Sequence, residues 1–112
     1  MLDFDQFSLV EPAFLLTIVS EAVLKDSIIT LLKNLKVASY TVSEVQGEGR
    51  QMRRSANPEA EESLSNMVAI TVEIRAIVSQ ELSNVILYAL KEQQREFVIY
   101  AYRQQVEALI QD

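Results

Sequence analysis

The chain has no cysteine, no histidine and no tryptophan, and its 112 residues include only two glycines and two prolines. Each absence closes off a chemistry. Without cysteine there is no disulfide, no thiolate zinc site and no cysteine nucleophile. Without histidine there is no imidazole base and no imidazole metal ligand. Positive charge is also scarce. Ten Lys and Arg stand against 16 Asp and Glu, a formal net charge of -6, which argues against a protein that grips nucleic acid through many phosphates. A single small anion in a local basic pocket stays open. No apolar run approaches the roughly 20 residues of a bilayer span. Residues 1–12 carry Asp3, Asp5 and Glu11 and lack the basic start of a secretory signal. A soluble, cytoplasmic protein is expected.

Apolar residues make up 49% of the chain. A domain of this size buries about two-thirds of its unfolded surface, enough for one core. One domain over residues 1–112 is therefore expected, with residues 1–12 as an N-terminal extension.

Residues 13–19, AFLLTIV, lie between Pro12 and Ser20 and read as a buried strand. Leu24, Ile28, Leu31, Leu32 and Leu35 then mark one face of a helix. Ser20 is placed to cap its first amides. Residues 39–45 alternate as a second strand, and residues 67–74, MVAITVEI, read as a third. Val78, Leu82, Val85, Ile86, Ala89 and Leu90 mark a second helix, and residues 97–101 a fourth strand. In the C-terminal segment 102–112, Tyr102, Val106, Leu109 and Ile110 fall at helical spacing and predict a short final helix. The order β-α-β-β-α-β predicts an α+β, ferredoxin-like fold: an antiparallel sheet with two helices on one face.

Between the second and third strands, residues 46–66 have no sustained apolar period. A loop of about twenty residues is uncommon in a compact domain and is usually functional or disordered. It holds both glycines, Gly47 and Gly49, followed by Arg50, Arg53 and Arg54. Gly-x-Gly lets backbone amides turn toward a phosphate with no Cβ in the way, and guanidinium forks match phosphate oxygens. The competing reading is a strand end followed by a charged, solvated loop. The acidic run Glu59, Glu61 and Glu62 has the composition of a solvated loop more than of a metal site, and no tightly bound metal is expected. Arg75, Lys91 and Arg95 read as surface charges. Lys91 and Arg95 precede the last strand, where a phosphate ligand can arrive from a second segment. Tyr40, Tyr88, Tyr100 and Tyr102 read as packing or interface residues.

Residues 40–51, Tyr-Thr-Val-Ser-Glu-Val-Gln-Gly-Glu-Gly-Arg-Gln, resemble the segment by which PII signal-transduction proteins enter their long T-loop. That family shows a hydrophobic residue followed by T-V-x-E-V-x-G-x-G-R-Q. The order of elements over residues 13–101 is similar too. The resemblance implies a homotrimer with adenine nucleotides in the clefts between subunits. It also implies that the T-loop, here residues 46–66, changes shape with ligand and docks on a transporter or enzyme. Carried over by position, Thr41 contacts the adenine or ribose side, Gly47 and Gly49 offer backbone contacts, and Arg50 approaches phosphate. Gln51 stands where the family places its magnesium and effector contact. The chain is more similar to the divergent PII-like branch, which includes proteins linked to bicarbonate uptake. These favour AMP, cyclic AMP or ADP over ATP, and Arg53 or Arg54 then takes the phosphate role.

Two other classes compete. The Gly-Glu-Gly-Arg segment also resembles the phosphate cradle of acylphosphatases, which are enzymes of this fold, but there it follows the first strand and opens the first helix. A ferredoxin-like trimer without nucleotide, of the metal-tolerance type, or an amino-acid-binding regulatory domain is the third reading.

Overall fold

A computed structural model describes residues 8–47 and 69–111. Strand β1 spans Val10–Glu21 and leads through a 3-10 turn, Ala22–Leu24, into helix α1, Lys25–Asn34. Strands β2, Tyr40–Gly47, and β3, Ala69–Val78, follow; then come helix α2, Gln80–Gln93, and strand β4, Ile99–Leu109. The sheet order is β2-β3-β1-β4 and every neighbouring pair is antiparallel. This is the ferredoxin-like architecture predicted from the sequence.

Alternation along the strands sorts the two faces of the sheet. Leu16 and Ile18 of β1 pair with Ala76 and Ile74 of β3, and all four are buried in one cluster with Ile28 and Leu32 of α1 and Ile86 and Leu90 of α2. Both helices therefore cover the same face. Leu16, Leu32 and Ile86 are completely buried; each such side chain contributes about 1.5–3 kcal/mol relative to exposure.

The helix ends depart from the expected capping. Ser20 lies inside β1, and its hydroxyl donates to the Glu21 carbonyl, so it caps nothing; the 3-10 turn starts the helix instead. Ser79 is the cap that forms, accepting from the Leu82 amide at the start of α2. Beyond α1, Lys36 has φ 61°, and Val37 donates to the Leu32 carbonyl, the left-handed closure usually given to glycine.

The expected C-terminal helix is a strand. Residues through Leu109 continue β4, which pairs with β1 from Val10↔Leu109 to Ser20↔Ile99. Apolar residues four apart share a face in a strand as well as in a helix, and β1 offered an unpaired edge that a short isolated helix could not match. The same ladder draws residues 10–12 of the expected N-terminal extension into β1. Pro12 is tolerated there because β3 begins pairing only at Phe14, leaving one flank of β1 free. Val78, expected on the second helix, ends β3. The expected strand residues Met67 and Val68 lie outside the described residues.

Candidate functional site

The fold brings two connections to one end of the sheet. Strand β2 ends at Gly47, which pairs with Ala69 at the start of β3. At the same end, β1 runs out at Glu21, opposite Thr71 of β3, and β4 begins at Ile99, opposite Ser20. The Gly-x-Gly loop and the α2–β4 connection therefore leave from the same end of the sheet but from opposite edges. Three strand spacings, about 14 Å, separate their roots.

The loop root is anchored. Thr71, fully buried, donates from Oγ1 to the Val45 carbonyl at 2.9 Å, tying β2 to β3 two residues before Gly47. Strand β2 is the edge strand, so among the described residues its outer flank carries backbone groups with no partner strand. Thr41 is exposed on this strand, and its neighbour across the ladder is Arg75. Of the residues the sequence singled out, Thr41 and Gly47 are thus at the edge and tip of β2. Gly49, Arg50, Gln51, Arg53 and Arg54 lie outside the described residues, as do Glu59, Glu61 and Glu62.

The α2–β4 connection is held by its own side chains. The Glu21 carboxylate accepts from the Val98 amide at 2.7 Å, and the Glu21 amide donates back to the Val98 carbonyl at 3.2 Å. Gln94 Nε2 donates to the Ile99 carbonyl at 2.8 Å, and Lys91 Nζ donates to Gln94 Oε1 at 3.1 Å. Arg95 lies 4.0 Å from Glu92, both well exposed. The two cations that precede the last strand thus engage their own segment. Arg103, on β4, is turned to the helix side. Its Nη1 donates to Ser83 Oγ at 2.7 Å and to Asn84 Oδ1, and its guanidinium stacks 5.1 Å from the Phe14 ring centre. It fastens β4 to the first turns of α2.

A small open cleft lies between α1 and α2, walled by Leu24, Ile28, Leu31 and Leu90, with Ser27 and Gln93 as polar members. No charged side chain lines it, so it is no phosphate cradle. Among the described residues, no group of three carboxylates could hold a metal ion, and no helix is long and apolar enough to cross a membrane.

Arg75, read from the sequence as a surface charge, is exposed on β3. The register places it between Thr41 of β2 and Thr17 of β1, with Tyr102 of β4 beyond. The alternation of β3 puts Thr71, Glu73, Arg75 and Ile77 on the face opposite the buried Val72, Ile74, Ala76 and Val78.

This sheet order with two helices on one face defines a ferredoxin-like α+β domain. The family model for Nitrogen regulatory protein P-II matches residues 13–107, and the chain belongs to that family. Among curated proteins, none is significantly similar in sequence. Among solved structures, a PII-like signaling protein from Thermus thermophilus is 26% identical, with TM-score 0.68, over 91% of this chain and 94% of that one. CPII, a nitrogen regulatory PII-like protein from Thiomonas intermedia bound to ADP, AMP and bicarbonate, is 18% identical, with TM-score 0.71, over 92% of this chain and 99% of that one. A DUF3240 family protein from Shewanella baltica is 13% identical, with TM-score 0.61, over 88% and 90%.

Proposed function

We propose that this chain is a PII-like regulatory protein, not an enzyme. It assembles as a homotrimer, takes an adenine nucleotide at the root of its T-loop, and uses residues 46–66 to dock on a transporter or enzyme. The observation that carries the reading is the placement of the T-V-S-E-V-Q-G-E-G-R-Q segment. Its first seven residues, Thr41 to Gly47, lie on the edge strand β2, so the motif leaves the sheet at Gly47, beside an edge with no partner strand among the described residues. The nucleotide-bound relative CPII supports adenine nucleotides as the effector class. Bicarbonate is bound to CPII as well, which makes that ion the first candidate for a second effector.

The two connections at this end are about 14 Å apart at their roots. One chain alone therefore presents the loop root on one edge and the α2–β4 connection on the other. A cleft that uses both needs the neighbouring subunit, which supports a site completed by trimer formation. In the mechanism, Thr41 faces the base or ribose and loop amides at Gly47 and Gly49 receive phosphate. Arg50, with Arg53 or Arg54, neutralises it, and Gln51 reaches the second effector. Ligand contacts made in only one loop conformation shift the population toward it, and that conformation has a different affinity for the target.

The acylphosphatase alternative is weakened by the turn after β1. In that family the cradle sits between the first strand and first helix; here that turn is Glu-Ala-Val-Leu, with no glycine and no arginine.

The test is thermal unfolding with ATP, ADP, AMP, cyclic AMP and bicarbonate, singly and with nucleotide and bicarbonate together. A nucleotide at about 100 times its dissociation constant adds roughly 2.7 kcal/mol of stability. A shift with one adenine nucleotide is expected. Stabilisation by none of them, or by an amino acid instead, contradicts the reading.

A further inference from the structure

Helix α2 carries a second stripe that the core does not use. Ile86 and Leu90 are its buried residues. Glu81, Val85, Tyr88 and Glu92 follow i, i+4, i+7 and i+11 and share another side of the helix. All four are exposed, Val85 by 49% and Tyr88 by 73%. Ala89 joins this stripe to the cleft between α1 and α2. It lines the cleft with Leu24, Ile28, Leu31 and Leu90, and it is the i+4 neighbour of Val85 and the i−3 neighbour of Glu92. The exposed apolar side chains thus continue an apolar floor toward solvent, the composition of a binding groove. Ile99, which opens β4, also lines the cleft, so the groove lies at the end of the sheet from which the 46–66 loop leaves.

The rim selects the occupant. Glu81 and Glu92 stand at the two ends of the stripe, eleven positions and about 16 Å apart. Arg95 lies 4.0 Å from Glu92 with both well exposed, a pairing that contributes little and yields readily to a partner's cation. Lys25, Lys33 and Lys91 fall outside the positions that border the cleft. An anionic membrane is repelled by the two carboxylates. A second copy laid on the same patch brings the same carboxylates and is repelled as well. Residues 1–7 carry Asp3 and Asp5 and precede β1 at the opposite end of the sheet. A basic amphipathic helix meets both demands, with apolar side chains in a two-helix groove and cations at its rim. We propose that the α1–α2 cleft and the Glu81–Glu92 stripe dock a basic amphipathic helix of the regulated target. This inference rests on the target docking in the proposed function and adds to the loop a second contact on the helices.

The experiment is fluorescence anisotropy of labelled model peptides of about 18 residues, three to five turns of helix, titrated with the full-length chain. One peptide has a leucine stripe and lysine elsewhere; a second replaces each lysine by glutamate; a third scrambles the first and loses the stripe. The lysine peptide is expected to bind at least about tenfold tighter than either control. Glu81→Lys with Glu92→Lys is expected to weaken it at least about tenfold, and Tyr88→Ser at least about fivefold. Glu11→Lys with Glu107→Lys makes the same change in net charge on exposed positions at the far end of β1 and β4, and is expected to change the affinity less than about threefold. Circular dichroism checks the folding of each variant. If a lysine variant fails to fold, the paired glutamine variants make the same comparison. A lysine peptide no tighter than its scrambled form, or equal losses in the two double variants, reduces the attraction to net charge and overturns the proposal. An oligomer that dissociates on Tyr88→Ser assigns the patch to a second copy and overturns it too. Stabilisation by a nucleotide without peptide binding removes the groove and leaves the proposed function standing; peptide binding by a chain that no nucleotide stabilises does the reverse.

Discussion

The Thr17 side chain is 1% exposed, and its hydroxyl has no hydrogen-bond partner among the described residues. It sits in register between Arg75 and Tyr102, on the sheet face away from the helices. A buried hydroxyl without a partner costs desolvation that nothing returns, so Thr17→Val is expected to stabilise the protein by about 1 kcal/mol. The urea midpoint reads this directly, and a lowered midpoint would mean that assembly supplies the missing bond. Arg50 is the residue on which nucleotide binding is staked. Charge-assisted hydrogen bonds contribute about 1.5–3 kcal/mol, so Arg50→Ala is expected to weaken nucleotide binding about tenfold or more in calorimetric titration. Lys33→Ala, an exposed charge on α1, is expected to leave it unchanged; equal effects remove Arg50 from the site. Glycine content bears on a third residue. Lys36 holds φ 61°, where a side chain is crowded by the following carbonyl at a cost of about 1 kcal/mol. Lys36→Gly is expected to recover about that amount in thermal unfolding, and a fall in stability would show the lysine side chain to be contributing more than its strain costs.

At the scale of elements, the order β-α-β-β-α-β was legible because the helices and most strands differ in period. Leu24, Ile28, Leu31 and Leu35 cannot share one face of a strand with their intervening polar residues, and residues 13–19 are too short and β-branched for a helix. The C-terminal segment was illegible for the opposite reason. Tyr102, Val106 and Ile110 are four apart, a spacing that satisfies both periods, and only the free edge of β1 decides between them. Ser20 failed as a cap because the β1 ladder claims its backbone through to Ser20↔Ile99. In the site, the motif at 40–51 was readable as a string. The neighbours of Thr41 were not, since Arg75 is 34 positions away and reaches it only through the β2–β3 register. That register also bears on the loop. Gly47 and Ala69 already pair across the sheet, so an Asn-Gly turn can join β2 to β3 in place of residues 48–68. The shortened protein is expected to fold and to gain up to about 2 kcal/mol from the lower closure entropy, while losing nucleotide binding. A shortened variant that still binds nucleotide would move the ligand site off the loop.

For the whole molecule, one helix-covered face and one open face divide the work. The covered face makes the core, with Leu16, Ile74 and Ile86 at its centre. The open face carries Tyr100 and Tyr102 of β4 and Glu73 and Arg75 of β3. The loop end carries the proposed nucleotide-binding segment, whose described part, Thr41 to Gly47, lies on the edge strand β2. If the site proposed above is completed by a neighbouring subunit, assembly and ligand binding are coupled. Native mass spectrometry of the full-length protein, mixed with the nucleotide that stabilises it most, measures both at once. The predicted result is a complex of three chains that takes up as many as three nucleotides, with none on the dissociated monomer. A monomer that binds nucleotide alone, or a trimer that takes none of the adenine nucleotides, would contradict it.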